Sequence, residues 1–171
     1  MNFAELVQKR CSVRDFAPKP IEQEKLDLIL EAARIAPTAA NRQPQRIYVL
    51  KSEEAMSKLR GVIRHAYNAP LAMMICYNKN ESWKAMEHFG EDYDAGQMDA
   101  DIVTTMMMMQ AEDLGLGTLW VRGYREADVV KAFELPEDTA LVCILVMGYP
   151  ADENIKRRTT RRPLSETVIE I

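Results

Sequence analysis

Residues 97–123, QMDADIVTTMMMMQAEDLGLGTLWVRG, contain the longest helical pattern of the chain and the strand pattern that follows it. Between Gln97 and Leu114 the pattern is apolar over most of its surface, and such a helix lies in the centre of a core or in a subunit interface. Gly115-Leu116-Gly117 ends the predicted helix, because glycine permits tight chain reversal. The residues 118–121 then predict a strand. We therefore expect a central helix that leads directly into a sheet.

Further helices and strands alternate around this stretch. Amphipathic spacing predicts a helix from Glu22 to Ile35, a second that begins after Ser52 and reaches about His65, and a third at 126–133. A shorter helical pattern opens the chain. The other strands are predicted at 47–50, 71–77 and 141–147, and the last two are apolar throughout, as in strands that are buried on both faces. This order predicts an α+β protein of three layers, with helices on both faces of a sheet.

Size and charge limit the function classes. The 171 residues suit one domain that spans 1–171, and the net charge of −4 argues against a nucleic-acid or anionic-membrane partner. No stretch approaches the roughly 18 apolar residues of a membrane span, and the first residues lack the pattern of a secretory signal. Cys11, Cys76 and Cys143 are odd in number and far apart, which favours reduced thiols in the cytoplasm and no metal site.

The first segment that could carry chemistry is Arg10-Cys11-Ser12-Val13-Arg14-Asp15-Phe16. Two guanidiniums flank a hydroxyl, directly after a helix. Arginine makes planar, charge-assisted hydrogen bonds that suit a phosphate monoester. A solvated basic patch at a helix C-terminus is the alternative.

Two further segments contain small residues and glycines. The loop Ala36-Pro37-Thr38-Ala39-Ala40-Asn41-Arg42-Gln43-Pro44 could bring backbone close to a flat ligand, while its amides contact the ligand's polar edge. It could also be an ordinary connector. The segment 115–124 contains a Gly-x-Gly, but it lacks the further glycine of a dinucleotide fingerprint and follows a helix. We therefore exclude a Rossmann site.

The fourth segment, Lys156-Arg157-Arg158-Thr159-Thr160-Arg161-Arg162, holds five cations in seven residues. These cations could bind a phosphate or a nucleic acid, or could serve only solubility. A nucleic-acid-binding protein is therefore one alternative, although such a surface needs more basic and aromatic residues along one face.

The order of these four segments resembles the nitroreductase family over nearly the whole chain. The family has an Arg-Arg-Ser-Val-Arg-x-Phe-like start, an Ala-Pro-Ser-x-x-Asn-x-Gln-Pro-like loop, and a central helix that ends in Gly-Leu-Gly-Thr before a tryptophan strand. A Gly-Tyr-Pro turn and a basic segment before Pro-Leu follow, matched here by 148–164. The resemblance implies a mixed, mainly antiparallel sheet flanked by helices, in an intertwined homodimer with two FMN sites.

The resemblance also implies roles for individual residues. Arg10, Ser12 and Arg14 would hold the FMN phosphate and ribityl chain, with Cys11 in place of the usual second arginine. Arg161 would complete the phosphate site, and Arg158 is a candidate helper beside Lys156 and Arg162. The residues expected to reach the flavin from the partner subunit are Pro37, Thr38, Ala39 and Asn41. The backbone at Arg122 and Gly123 would meet the flavin ring near N5 and O4.

The implied activity is a ping-pong transfer of hydride from NADH or NADPH, through FMN, to a small electron-poor acceptor such as a nitroaromatic or a quinone. The flavin carries this chemistry, so no side chain is expected to be catalytic. A flavin-binding redox sensor or storage module without turnover shares every cofactor motif and stays open as an alternative. The polar stretch 78–94 is the candidate for a substrate lid.

Overall fold

A four-stranded sheet forms the centre of the protein, whose computed structural model describes residues 2–152 and 160–171. Its strands are β1 (Gln45–Leu50), β2 (Leu71–Asn78), β3 (Gly117–Val121) and β4 (Thr139–Gly148), in the order β1-β2-β4-β3. The two apolar runs in the sequence become the two central strands. Each predicted strand is confirmed, and no bound differs from the predicted one by more than two residues.

The described helices are α1 (Phe3–Lys9), α2 (Gln23–Arg34), α3 (Glu53–Val62), α4 (Met86–Phe89), α5 (Gly96–Asp113), α6 (Glu126–Phe133) and α7 (Leu164–Thr167). Helix α3 ends three residues before the predicted bound at His65, because Ile63 takes extended backbone angles (φ −130°, ψ 137°). The stretch 78–94 is mostly irregular and contains only the single turn of α4.

Helices cover both faces of the sheet. Helices α2 and α5 pack on one face, where Ile29 and Met107 belong to the same buried cluster as Met73 and Ile75. Helices α3 and α6 pack on the other face, in a cluster that includes Leu59, Val129 and Ile144. The α+β class and the three layers are therefore confirmed.

The strands of the described sheet pair antiparallel throughout, which refines the expectation of a mixed sheet. Within residues 2–152 and 160–171, parallel pairing is confined to one isolated bridge, between Ser12 and Thr118. That bridge lies at the outer edge of β3 and brings the basic segment near the N-terminus to the sheet.

Helix α5 has one buried and one exposed side. Val103 and Met107 are fully buried against the sheet, whereas Met98 and Met106 are exposed. The expectation of a core helix therefore holds for the side that faces the sheet. In the part of the chain that the structure describes, no helix combines the length and the apolar character needed to cross a bilayer.

Candidate functional site

A cavity of about 260 Å³ lies where strand β3 ends. Three separate parts of the chain line it: the segment after α1 through Arg14, the turn before β2 through His65 and Tyr67, and the residues 119–123 of β3 and the loop that follows. We call this cavity the β3 pocket. Its walls therefore come from parts of the sequence that meet only in the folded chain.

The segment after α1 runs along β3 in an extended conformation. The amide of Val13 donates to the carbonyl oxygen of Thr118 at 2.9 Å, and Val13 is buried. Because successive side chains of an extended segment point in opposite directions, burial of Val13 turns Ser12 and Arg14 outward. A Cβ on Gly117 would lie 2.4 Å from Cγ2 of Val13, so only glycine lets the two segments approach this closely.

Asn68 ties this segment to the turn before β2. The amide of Phe16 donates to Oδ1 of Asn68 at 3.0 Å, and Nδ2 of Asn68 donates to the carbonyl of Phe16 at 2.8 Å and to Oδ1 of Asp15 at 2.9 Å. The ring of Phe16 is buried, and its backbone bridges to Pro150 beyond the end of β4. Arg14 is thus held between two anchored residues, Val13 and Phe16.

The turn before β2 has strained backbone at Tyr67 (φ 51°, ψ −146°). Non-glycine residues rarely adopt such angles, which cost about 1–3 kcal/mol and cluster at functional sites. The guanidinium of Arg60 holds the turn, since it donates to the carbonyls of Tyr67 at 3.4 Å and Ala69 at 3.2 Å. The strain therefore lies in the wall of the β3 pocket.

His65 lies between Tyr67 and Gly123. The hydroxyl of Tyr67 is 3.4 Å from Nδ1 of His65, and the ring centroids are 5.9 Å apart. On the other side, a Cβ on Gly123 would lie 3.3 Å from Cδ2 of His65. The lack of a side chain at Gly123 therefore lets the imidazole lie against the backbone of the β3 loop.

The charge in the pocket wall is positive. Arg14 and Arg122 both line the pocket, and no carboxylate is among the described residues that line it. Arg122 donates to Oε2 of Glu126 at 2.9 Å and lies over the ring of Tyr124, with 5.2 Å between the guanidinium carbon and the ring centroid. Burial raises the pKa of Tyr124, so its hydroxyl stays neutral. The pocket thus suits an anionic or electron-rich ligand.

The predicted loop after α2 lies elsewhere on the chain. The amide of Ala39 donates to Oδ1 of Asp99 on α5, and the hydroxyl of Thr38 accepts from the amide of Gln43 at 3.0 Å. Ala40, Asn41 and Gln43 all have left-handed backbone angles. Pro37 and Asn41 are exposed, and no residue of the loop lines the β3 pocket of its own chain.

The other predicted cofactor residues have separate outcomes. Arg10 and Cys11 are half-buried beside the exposed Ser12, next to the pocket in sequence but outside its lining. The exposed Arg161 donates to the carbonyl of Thr160 and is also not in that lining. Arg158, like Lys156 and Thr159, lies outside the described residues. The structure therefore brings together Arg14, Arg122 and Gly123 from the predicted set.

His65 and Tyr67 are pocket residues that the sequence interpretation did not identify. Both lie in a seven-residue turn, Arg64-His65-Ala66-Tyr67-Asn68-Ala69-Pro70, between a helix and a buried strand. Connections next to the ends of buried strands often carry functional side chains. A histidine and a tyrosine in such a position are the signal that could have pointed to them.

A second, larger cavity of about 530 Å³ lies on the outer side of α5. Its lining includes Tyr93, Met98, Ile102 and Met106 together with Asp94 and Asp101. The described residues contain no cluster of histidine, cysteine and carboxylate side chains that could hold a metal ion. Burial raises the pKa of the Cys76 and Cys143 thiols to about 12, so neither is a reactive thiolate.

Known proteins match this chain over most of its length. The sequence profile of the nitroreductase family matches residues 7–70 and 64–149. A nitroreductase family protein from Clostridium difficile has a crystal structure that superposes with a TM-score of 0.92 at 38% identity, over 99% of this chain and 98% of that one.

Two relatives have named activities. An FMN reductase [NAD(P)H] of Bacillus subtilis is 29% identical over 161 residues, which cover 85% of this chain and 65% of the relative. A 4-nitrobenzoate reductase of Pseudomonas putida is 27% identical over 207 aligned positions, which cover 95% and 91% of the two chains.

Proposed function

Because this chain belongs to the nitroreductase family, we propose that it binds FMN at the β3 pocket and passes hydride from NADH or NADPH to a small electron-poor acceptor. The chain is an oxidoreductase, and the similarity to an FMN reductase supports the cofactor. The observation that carries the proposal is the meeting of Arg14 and Arg122, from distant parts of the sequence, at one cavity without a lining carboxylate.

The pocket residues fit a flavin. Guanidiniums make strong hydrogen bonds to anionic oxygens, and Arg14 and Arg122 would hold the electron-rich part of the cofactor. Arg122 and Gly123 both line the pocket, so a flat ring bound there could approach their backbone N–H groups. We assign the phosphate to Arg10, Ser12 and Arg14, with Cys11 beside them and with Arg158 and Arg161 from the C-terminal segment.

We propose that a second copy of the chain completes each site. The β3 pocket alone, at about 260 Å³, is smaller than the roughly 300–1,000 Å³ of most small-molecule sites. The loop with Pro37, Thr38, Ala39 and Asn41 does not reach the pocket of its own chain, so it is available to a partner. Exposed Met98 and Met106 on α5, with exposed Leu28 and Ile35 on and beside α2, supply an apolar surface for a homodimer.

The protein's part in the reaction is orientation and electrostatics. Bound FMN supplies the redox chemistry, as the acceptor of hydride from the nicotinamide and the donor to the second substrate. Arg14 and Arg122 stabilise negative charge that develops in the pocket. The Asn68 and Arg60 hydrogen bonds keep both pocket walls in place, so little reorganisation accompanies the reaction. Donor and acceptor use the same face in turn, which gives ping-pong kinetics.

The test begins with the purified chain. We expect a yellow protein that releases FMN on denaturation, oxidises NADH or NADPH with a nitroaromatic or quinone, and gives parallel lines in double-reciprocal plots. Flavin binding without turnover favours the sensor or storage alternative. A colourless protein that does not bind added FMN contradicts the proposal, and salt-sensitive binding to an oligonucleotide would then favour a nucleic-acid function.

We further propose that residues 1–171 act as one FMN-binding domain in the cytoplasm. Both clusters of buried side chains share the one sheet, and the three cysteines are free thiols, which suits a reducing compartment. Size-exclusion chromatography with light scattering tests the dimer, which we expect at twice the chain mass.

A further inference from the structure

Among the described residues that line the β3 pocket, His65 is the only histidine. Arg14 and Arg122 keep their positive charge throughout, because guanidinium does not lose its proton in proteins. A histidine can gain or lose a proton near pH 7. The pocket therefore combines two fixed cations with one group that can respond to a change of charge.

The position of His65 is determined on both sides. The hydroxyl oxygen of Tyr67 is 3.4 Å from Nδ1 of His65. On the other edge of the ring, a Cβ on Gly123 would lie 3.3 Å from Cδ2 and 3.6 Å from Nε2. If the Tyr67 oxygen accepts a hydrogen bond from Nδ1–H, then Nε2 is left to accept a further proton. The guanidinium of Arg60 donates to the backbone carbonyl of Tyr67, whose φ is positive, and so holds the turn that carries both side chains.

The other charged groups near His65 come from its own turn, from the segment after α1 and from the loop after β3. Arg64 precedes it in the same turn, and Arg14 lines the same pocket. From the loop after β3 comes Arg122, whose partner is Glu126. Asp15 is engaged by Asn68. A negative charge that arrives in the pocket is attracted more strongly by an imidazolium than by an imidazole, so its arrival favours protonation of His65.

We propose that His65 takes up a proton when the flavin in this pocket is reduced, and that Tyr67 positions its ring for this role. The inference rests on the proposed FMN site. Hydride transfer oxidises the nicotinamide and brings two electrons and one proton to the cofactor, which adds one negative charge to the pocket. A solvent proton forms a new N–H bond on His65. When the electrons leave with the acceptor, that N–H bond breaks and the proton returns to solvent.

The experiment measures the midpoint potential of the bound flavin between about pH 6 and 8, where histidine titrates. We expect a steeper dependence on pH in the wild type than in His65→Asn, because more protons accompany the two electrons. Proton uptake on photoreduction, followed with an indicator dye in weak buffer, should exceed that of His65→Asn by up to one proton per flavin.

Two further variants separate charge from structure. His65→Lys carries a permanent cation, so we expect the shallow pH dependence of His65→Asn together with a higher potential. Tyr67→Phe should keep the proton uptake but move the pH at which it is greatest. His88→Asn is the matched control, since the other histidine stacks on Trp83 outside the β3 pocket, and it should match the wild type.

The inference is wrong if the midpoint potential of the bound flavin depends on pH with the same slope in the wild type and in His65→Asn, and if their proton uptake is equal. A wild type that binds no FMN contradicts the proposed function itself, so the two failures are distinguishable. Should His65→Asn fail to load flavin, the wild type is compared with His65→Lys instead, and equal pH dependence in that pair also overturns the inference.

Discussion

The backbone amide of Ala39 donates a 2.8 Å hydrogen bond to Oδ1 of Asp99, across 60 residues of sequence. Asp99 is fully buried on α5, and its Oδ2 has no hydrogen-bond partner among the described residues. Burial raises the pKa of this carboxyl. The loop that we propose contacts the partner's flavin is therefore fixed to the buried side of α5. The exposed side of the same helix is the surface that we propose for the dimer interface.

Asp99→Ala should release this loop. The substitution removes the acceptor of the Ala39 amide, a hydrogen bond worth about 0.5–1.5 kcal/mol or more when its acceptor is charged. We expect faster backbone amide hydrogen exchange at 38–43, measured by mass spectrometry. Three non-glycine residues of this segment have positive φ, a conformation that such residues disfavour. Asp99→Asn keeps an oxygen acceptor and serves as the control. Equal exchange in the wild type and Asp99→Ala would show that the loop is held by other contacts.

Arg14→Ala should weaken FMN binding. A charge-assisted hydrogen bond is worth about 1.5–3 kcal/mol, so the dissociation constant should rise roughly tenfold or more. Fluorescence titration of the apoprotein with FMN measures this. Arg34→Ala is the matched control, because Arg34 is an exposed arginine paired with Glu31 on α2. An unchanged FMN affinity would remove Arg14 from the site.

Gly117→Ala should destabilise the fold and displace the segment that carries Arg14. The added Cβ would lie 2.4 Å from the side chain of Val13, and overpacking of this kind costs about 1–3 kcal/mol. Urea unfolding measures the change. Gly61→Ala is the control, because nothing lies within 4 Å of a Cβ at this position in α3. There we expect a gain of about 0.4–1 kcal/mol from helix propensity and reduced freedom of the unfolded chain.

Tyr149→Phe should change how stability depends on acid. The Tyr149 hydroxyl donates to Oε2 of Glu22 at 2.5 Å, and this bond is the main cause that lowers the pKa of Glu22 from 4.5 to about 2. A carboxyl whose pKa is lower in the folded protein stabilises the fold at pH values above its pKa in the unfolded chain. This contribution is lost as the pH falls towards its pKa in the folded protein. The difference in unfolding free energy between wild type and Tyr149→Phe should therefore shrink between about pH 4.5 and 2.

Unfolding by urea at several pH values follows this difference. Tyr149→Phe also removes the hydrogen bond from Lys25 to the Tyr149 oxygen. This loss adds a contribution to the difference in unfolding free energy that does not depend on pH. In a Glu22→Gln background the addition of Tyr149→Phe should give a difference that stays constant with pH. A difference that stays constant in the wild-type background as well would contradict the assignment.

The layers and the family could be predicted from the sequence because their signals are periodic or ordered along the chain. Apolar runs predicted β2 and β4, and helical spacing predicted α2 and α6. The structure confirms all four elements. The four ordered motifs indicated the nitroreductase family, which the profile and the solved structures confirm.

The composition of the pocket wall could not be predicted in the same way. His65 and Tyr67 reach the pocket because Asn68 pairs with Phe16 and because Gly123 leaves space for the imidazole. These are contacts between distant segments, and neither periodicity nor a local motif records them. The end of α3 differs from the predicted bound for a related reason, because the extended residue Ile63 ends the helix just before the turn that carries His65.

The pairing of the segment after α1 with β3, and of Phe16 with Pro150, has a consequence for biosynthesis. A nascent chain exposes Arg14 early, but Thr118 and Pro150, which pair with the residues on either side of it, are added to the chain much later. If FMN binds at the β3 pocket as we propose, we expect the cofactor to load only after these pairings form, and we expect a chain cut short before β4 to remain an apoprotein. Bound chromophore in a cell extract would thus report molecules in which β3 and β4 have been synthesised and folded.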